Sequence, residues 1–417
     1  MKKLILTLCL AATGTFAAVA QMRLTLDQAL DLALSENPTV KVAEMEVQRY
    51  DYVKRQTWGG LLPQVSVTGQ VNHSFIVQQM SKGFSLGNDP YTTLSGAVDA
   101  SVPLFAPQVY RMMKMNDKQM ATAVEAARSS RITLTAEVKK AFYNILLAEQ
   151  SLDVLRESEA TVQRTVDDTQ VQYQNGLTSE YDLLTAQVQL SNLKPTILQT
   201  ENSIKLAKLM LKMYLSIPED VEIEVVGELD ALRDDVLAGT DGLTTDVTDN
   251  SDLRSLELQE EVLRRSLKAA NAGRMPTLAA FGSASYTGND MEPFNFGGAA
   301  ATDDSRYFWT HPISVGLQLS VPIFSGLTKM NKSRELKNQI SQIGLQRTYA
   351  RQQVDVQVRS ALNDLLTARE TMYAQELTVE QACKAYKISD TRYRAGAGTI
   401  LELNSAQLSQ TQAQLNF

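Results

Sequence analysis

The chain has 417 residues, of which 44% are hydrophobic and 21% are charged, and its formal net charge is −7. This composition can bury a core and is not that of a disordered chain. An acidic balance offers no basic surface for nucleic acid, and the two histidines argue against a histidine-rich metal site. We therefore expect no nucleic-acid partner, no metal and no cofactor.

The N-terminus is typical of a secretory signal. Two lysines precede an apolar run, and the small residues Ala18–Ala20 form a cleavage site. We predict a signal peptide over residues 1–20 and an exported mature chain. No later stretch offers about 18 consecutive apolar residues, so no transmembrane helix is expected.

The mature chain repeats itself. Three motifs of the first half recur in the second half, in the same order and 213 to 220 residues later. The pairs are Leu62–Val65 with Met275–Leu278, Val102–Phe105 with Val321–Phe324, and Tyr173–Gly176 with Tyr393–Gly396. This pattern predicts a duplicated module. The predicted domains are a first repeat over 21–217, an acidic connector over 218–250 and a second repeat over 251–417.

Each repeat carries two predicted strands. Within 65–77 the odd positions are mainly apolar and the even positions polar, and residues 98–102 and 313–321 alternate in the same way. Residues 278–286 alternate weakly because Phe281 breaks the frame. We therefore expect four strands per chain.

Aromatic residues lie at or near the strand ends, in polar, glycine-rich loops over 78–93 and 287–311. These aromatic residues are Tyr91, Phe294, Phe296, Tyr307, Phe308 and Trp309. Aromatic belts at the edges of an apolar band are typical of a membrane-spanning β-barrel. The strands alone fit a soluble β-sandwich almost equally well.

The helices favour the membrane protein. Shorter helices are predicted at about 38–60 and 251–273, before each strand pair. The stretch from Ala106 to Tyr173 has no proline except Pro107, which suits a helix start, so a helix of roughly 100 Å is predicted. Apolar and small residues recur every three or four positions along it, and the same frame holds 220 residues later. This repeat predicts two coiled-coil helices.

Each long helix is expected to end near a glycine, Gly176 or Gly396, after which a second helix returns. The first return helix runs to about Ile217, and the same offset places the end of the second near residue 437. The sequence stops at Phe417, so we expect a shortened last helix.

Four strands cannot close a barrel, and open sheet edges cannot lie in lipid. Two chains would give eight strands, a barrel filled by its own side chains, and three would give twelve, with room for a lumen. Strands, long helices and signal peptide together predict an outer-membrane channel whose helices extend into the periplasm.

The motifs behind this prediction resemble those of a known family. The strand ends SVPLF and SVPIFSG, and the helix turns YQNGLTSEYDLLTAQ and YRAGAGTILELNSAQ, are similar to those of TolC-type outer-membrane efflux and secretion channels. The resemblance covers essentially all of the mature chain. It implies an α+β membrane protein, a homotrimer with a 12-stranded outer-membrane β-barrel of four strands per chain. A long α-helical coiled-coil barrel would continue it into the periplasm.

The resemblance also implies a function. The chain would be the exit duct of a tripartite efflux pump or type I secretion system, set in outer-membrane lipid. It would passively conduct small molecules or polypeptides. These would come from an inner-membrane efflux or exporter pump and a periplasmic adaptor (membrane fusion) protein. No catalytic residue is expected.

The resemblance places the periplasmic entrance at the two helix turns. The adaptor would contact the turn residues Asn175, Gly176, Leu177, Ala395, Gly396 and Ala397. Glu402 matches an entrance carboxylate that would attract cations, and Ser405 stands at a second carboxylate position. Tyr393 and Asp182 match a latch that holds the entrance closed. Gly398 replaces an arginine of that network, so we expect a closed state that is held less tightly.

Two other classes of protein compete with the channel. Gly83–Gly87 matches the G-x-S-x-G pattern of hydrolases, but it lies in a polar loop and no helix follows it. An enzyme is therefore not expected. The remaining alternative is a structural or adhesive coiled-coil surface protein, which would not need strand pairs with an apolar face.

Overall fold

The computed structural model describes residues 22–75, 91–229, 231, 247–290 and 308–417. Several sequence predictions lie outside these described residues. They are the signal peptide 1–20, the motif Gly83–Gly87, the loop aromatics Phe294, Phe296 and Tyr307, the side chains of Tyr91 and Phe308, and residues 230 and 232–246 of the connector.

The described residues form seven helices and seven strands. The helices are α1 Leu26–Glu36, α2 Pro38–Gly59, α3 Pro107–Gln174, α4 Glu180–Leu215, α5 Ser251–Ala272, α6 Thr328–Arg394 and α7 Ile400–Asn416. The strands are β1 Met22–Leu24, β2 Gln64–Ser74, β3 Tyr91–Phe105, β4 Ile223–Val225, β5 Thr277–Asn289, β6 Phe308–Thr310 and β7 Ile313–Ser320. The two long helices have 68 and 67 residues, which confirms both of them. None of the helices in the described ranges combines the length and apolar character that a membrane crossing requires.

One compact unit comprises the described residues within 45–126 and 250–350 and contains the larger sheet. Its four long strands are antiparallel in the order β2-β3-β5-β7, and the short β6 also pairs with β5. The central pair, β3 and β5, joins the two repeats. Pro312, which has no N–H to donate, lies between β6 and β7. The four predicted strands are confirmed.

The two faces of this sheet differ in chemistry. Val67 is paired with Val98, Val98 with Ala284 and Ala284 with Ile313, so these apolar residues share one face. Serine, threonine and glutamine side chains alternate onto the other face. Phe281 belongs to the polar face. Its ring lies over Gly316, where an added Cβ would be 2.9 Å from the ring, and this packing explains the broken alternation.

The other compact unit comprises the described residues within 22–44, 127–249 and 351–417. Its main core joins α1, α3 and α4 to a parallel pair of short strands, β1 and β4. Ile223 and Val225 of β4 are buried in this core, so the connector begins as a packed strand. Each unit contains segments from both repeats. The predicted domain boundaries therefore separate the two copies of the duplicated module, not the two compact units, and they stay a prediction.

The predicted seam of α3 is largely buried. Its buried positions are Leu134, Val138, Ile145, Leu152, Leu155, Val162, Val166 and Thr169. Leu152 and Leu155 pack against Ile197 and Ile204 of α4, as a helical hairpin requires. At the corresponding positions of α6, only Val354 is buried among the described residues, and the others are half-buried or exposed.

Candidate functional site

The candidate site consists of the two hairpin tips, where α3 turns into α4 and α6 turns into α7. The glycines Gly176 and Gly396 have φ values of 69° and 70°, in the left-handed region. The N–H of Leu177 donates to the carbonyl of Gln172 at 2.8 Å, and the N–H of Ala397 donates to that of Arg392 at 2.8 Å. This is the same helix-ending turn twice, and it confirms that the glycines close the two hairpins.

All six predicted contact residues of the tips are exposed. Leu177 is the most prominent, because 77% of its surface is accessible and Ala397 stands at the equivalent position. Asn175 is held by its own helix, since its Nδ2 donates to the carbonyl of Val171 at 2.8 Å. The first tip therefore presents a larger apolar side chain than the second.

The return helices begin with different caps. At α4 the Ser179 hydroxyl accepts from the N–H of Asp182, and the Asp182 carboxylate accepts from the N–H of Ser179, which is a reciprocal capping box. At α7 the Thr399 hydroxyl accepts from the N–H of Glu402 at 3.3 Å. The carboxylate of Glu402 does not complete that box.

The Asp182 carboxylate is held inside its own turn. Its Oδ2 accepts from the hydroxyls of Thr178 and Ser179, each at 2.8 Å. Burial raises the pKa of Asp182, but these hydrogen bonds together outweigh burial, so the pKa lies below its ordinary value. The carboxylate is therefore charged at neutral pH and tied to the cap.

The Glu402 carboxylate faces a cation instead. Its Oε2 lies 3.6 Å from Nη2 of Arg392, the third-last residue of α6. The same nitrogen donates to the carbonyl of Ala397 at 3.3 Å. Arg392 therefore connects the turn to the start of α7. Sequence reasoning missed this residue, because the pairing crosses a turn.

Tyr393 joins the second hairpin to the first. Its hydroxyl lies 3.0 Å from Oγ1 of Thr169, which is fully buried and donates to the carbonyl of Thr165 at 2.7 Å. Since that hydroxyl proton is in use, Tyr393 is the donor to Thr169. In the described part of the chain no hydrogen bond joins Tyr393 to Asp182, so the latch between these two residues stays a prediction.

Apolar packing and one more ion pair support this junction. Val166 and Ala186 from the first hairpin pack with Ile400 and Leu403 from the second. Arg394 lies 3.0 Å from Asp390 in its own helix and 3.7 Å from Asp168 in α3. A basic residue in the last turn of a helix is a general signal that could have indicated Arg394. Among the described residues no group of three or more potential metal ligands occurs.

The comparisons with known proteins agree with this architecture. The Outer membrane efflux protein family matches residues 29–215 and 247–417, and the chain belongs to this family. It has the TolC-type fold, in which long helices and strands recur in two repeats. It is an outer-membrane efflux channel with a periplasmic helical part, and a transport protein rather than an enzyme.

Individual relatives extend over nearly the whole chain. The chain is 22% identical to outer membrane protein TolC of Vibrio cholerae over 97% of this chain and 89% of that protein. It is also 22% identical to alkaline protease secretion protein AprF of Pseudomonas aeruginosa, over 90% of this chain and 77% of that one. The CmeC outer membrane channel of Campylobacter jejuni has the same fold, with a TM-score of 0.73, 14% identity and coverage of 94% and 81%.

Proposed function

We propose that three copies of this chain form one continuous duct. Twelve strands, four from each chain, would close a β-barrel in the outer membrane, and the helices would form a coiled-coil barrel in the periplasm. The observation that carries this proposal is the four-stranded antiparallel sheet, which has one exposed apolar face and two open edges.

The apolar face suits lipid. On β7, Ile313 and Val315 are 79% and 84% exposed, and on β2 Val67 is 77% exposed. An apolar surface of this extent is unfavourable in water and is covered in stable proteins. Contact with hydrocarbon chains would remove that cost, as it does on the outside of membrane barrels.

The open edges and the polar face favour three chains. β2 forms one edge of the sheet, and β7 and the short β6 form the other, so their unpaired backbone groups need strands from another copy in lipid. The polar face, with residues such as Ser66, Thr68 and Gln318, suits water. Eight strands would fill their own interior with side chains, whereas twelve leave room for a water-filled lumen.

The duct would receive its cargo at the hairpin tips. A periplasmic adaptor protein would contact the two turns, Asn175–Leu177 and Ala395–Ala397, and an inner-membrane pump would deliver the cargo. The relative AprF is named for secretion of a protease and the family is named for efflux, so small molecules and polypeptides are both consistent cargo classes.

Glu402 would contribute an entrance carboxylate, and Tyr393 with Asp182 would hold the entrance closed. Since Tyr393 bonds Thr169 and Asp182 bonds its own cap within one chain, the latch would have to form in the assembled trimer. The test is the resting conductance of the double variant Tyr393→Phe, Asp182→Asn in planar bilayers. An increase supports the latch, and an unchanged conductance excludes it.

Two neighbouring substitutions test the membrane assignment. Val67→Lys places a charge on the apolar face, and Thr68→Lys places the same charge on the polar face one residue later. Against lipid, a lysine costs up to about 2–4 kcal/mol near the bilayer midplane and less toward its surfaces. We therefore expect Val67→Lys to lower the amount of heat-modifiable trimer recovered from outer membranes, and Thr68→Lys to leave it nearly unchanged.

Equal yields for both variants would contradict a lipid-facing sheet and support the coiled-coil surface protein. Electron microscopy of the unmodified protein, extracted in mild detergent, then distinguishes the assemblies directly. Three-fold particles with a hollow shaft support the trimeric duct. Soluble rods or compact globules without a barrel would exclude it.

A further inference from the structure

The guanidinium of Arg392 is placed by the turn that follows it. One nitrogen, Nη2, lies 3.6 Å from the Glu402 carboxylate and donates to the carbonyl of Ala397 at 3.3 Å. These partners come from the start of α7 and from the turn itself. The side chain therefore spans the turn and brings its positive charge to the one carboxylate that we assign to the entrance.

Gly398 lies against the base of Arg392. A Cβ at position 398 would lie 3.2 Å from Cβ of Arg392 and 3.2 Å from the backbone nitrogen of Tyr393. Both distances are tighter than ordinary van der Waals contact, so the first carbon of Arg392 occupies the space beside this glycine. A side chain at position 398 would therefore require the base of Arg392 to shift by a few tenths of an ångström.

The neighbouring arginine, Arg394, has partners of its own. Arg394 faces Asp390 at 3.0 Å and Asp168 at 3.7 Å. Among the described residues, Arg392 is the cation that forms an ion pair with Glu402. The first tip has no such arrangement. Gln172 stands where Arg392 does, and Asp182 is satisfied by the hydroxyls of Thr178 and Ser179.

We propose that Arg392 is a specificity-determining residue of the entrance. It neutralises Glu402, so that the three entrance carboxylates of the duct do not select cations and anionic solutes can pass. This inference rests on the proposed function, because it needs Glu402 to line the path of the cargo. The pair is about half exposed, so its main effect is on the local potential and its contribution to stability is small.

The test is ion selectivity of the full-length protein in planar bilayers under a potassium chloride gradient. For the unmodified channel we expect nearly equal permeabilities for potassium and chloride. Arg392→Gln should raise the potassium-to-chloride permeability ratio by about twofold or more, because it exposes one negative charge per chain. Glu402→Gln should lower the ratio, and the double variant Arg392→Gln, Glu402→Gln should return it to the unmodified value.

Two further variants separate a specific role from a general loss of charge. Arg394→Gln removes the same charge two residues away and should change the ratio much less, because its partners are Asp390 and Asp168. Arg392→Lys keeps the charge and should keep the ratio close to that of the unmodified channel.

The outcomes also separate this inference from the proposed function. Suppose that the unmodified protein forms channels, and that Arg392→Gln has the same permeability ratio or shifts it no more than Arg394→Gln does. The role of Arg392 is then refuted, and the proposed channel function is retained. If the unmodified protein forms no channels, the proposed function fails and the inference fails with it. If Arg392→Gln does not assemble, Glu402→Gln provides the test instead. A potassium-to-chloride permeability ratio below that of the unmodified channel supports the inference, and an unchanged ratio overturns it.

Discussion

The two hairpin tips share one backbone turn and differ in how the following helix begins. Gly176 and Gly396 have the same left-handed φ, and equivalent hydrogen bonds end α3 and α6. After the turn, Asp182 folds back onto Ser179, whereas Glu402 reaches Arg392. Duplication therefore supplied two copies of the turn, and the side chains around them have taken different partners.

The difference has a simple physical origin. In the first tip Thr178 and Ser179 offer two hydroxyls to a short aspartate, which satisfies the carboxylate locally. In the second tip Gly398 stands at the position of Thr178 and has no hydroxyl, and the side chain of Glu402 is one methylene longer than that of Asp182. The Glu402 carboxylate is consequently available to a cation across the turn. One tip is built for a firm cap and the other for an exposed charge pair.

The largest expected effect tests what the tips share. Gly176→Ala and Gly396→Ala should each lower the free energy of unfolding by about 1–2 kcal/mol, since an L-residue in the left-handed region is strained by that amount. Neither added Cβ meets an atom within 4 Å, so strain alone is measured. Urea unfolding of the detergent-solubilised protein, followed by circular dichroism, measures the change.

Gly344 is the matched control for the glycine variants. It lies inside α6, and an added Cβ there is also free of contacts. Because alanine is favoured over glycine within a helix, Gly344→Ala should raise the free energy of unfolding by roughly 0.5–1 kcal/mol. A stabilising effect of Gly176→Ala or Gly396→Ala would contradict the left-handed turn at that tip.

A smaller effect should separate the two caps. Ser179→Ala removes one half of a reciprocal capping box and should cost about 1 kcal/mol, and Thr399→Ala removes a single longer bond and should cost about 0.5 kcal/mol. Both are measured by the same unfolding experiment at pH 7. Equal costs would show that the reciprocal bond of Asp182 adds nothing to the cap.

The cap at Asp182 should also depend on pH. Its pKa is lower in the folded protein than in the unfolded chain, so its contribution is complete above about pH 4 and is lost as the pH falls through the folded value. Asp182→Asn should therefore lower stability by about 0.5–1 kcal/mol at pH 7 and by much less in acid. A difference that persists unchanged in acid would contradict the hydrogen-bonded carboxylate.

Sequence patterns with a short period predicted much of this structure. Alternation with a period of two predicted the long strands, although it is weak over 278–286, and a heptad frame that holds in both repeats predicted the long helices. Gly176 and Gly396 indicated the turns because only glycine adopts that backbone conformation freely. Each of these features is decided by residues that are close together along the chain.

Other features depend on contacts that no local pattern encodes. β1 and β4 have three residues each and lie about 200 positions apart, so alternation could not reveal them. The placement of Phe281 depends on a glycine in a partner strand, Gly316. The ion pair of Arg392 with Glu402 requires the exact path of the turn between them, and resemblance to a family indicated the carboxylate without its partner.

The smallest expected effect is a coupling between two substitutions at the junction of the hairpins. Tyr393→Phe and Thr169→Val each remove one end of the hydrogen bond between Tyr393 and Thr169, and each should cost about 0.5–1.5 kcal/mol. The double variant should cost less than the two single costs added, by roughly 0.5 kcal/mol, because the second substitution has no bond left to break. Tyr173→Phe is the control, since Tyr173 occupies the equivalent position in the first repeat and is exposed. Strict additivity in the unfolding measurement would show that this bond does not tie the second tip to the first. The apolar contacts of Val166, Ala186, Ile400 and Leu403 and the ion pair of Arg394 with Asp168 would then carry the junction instead.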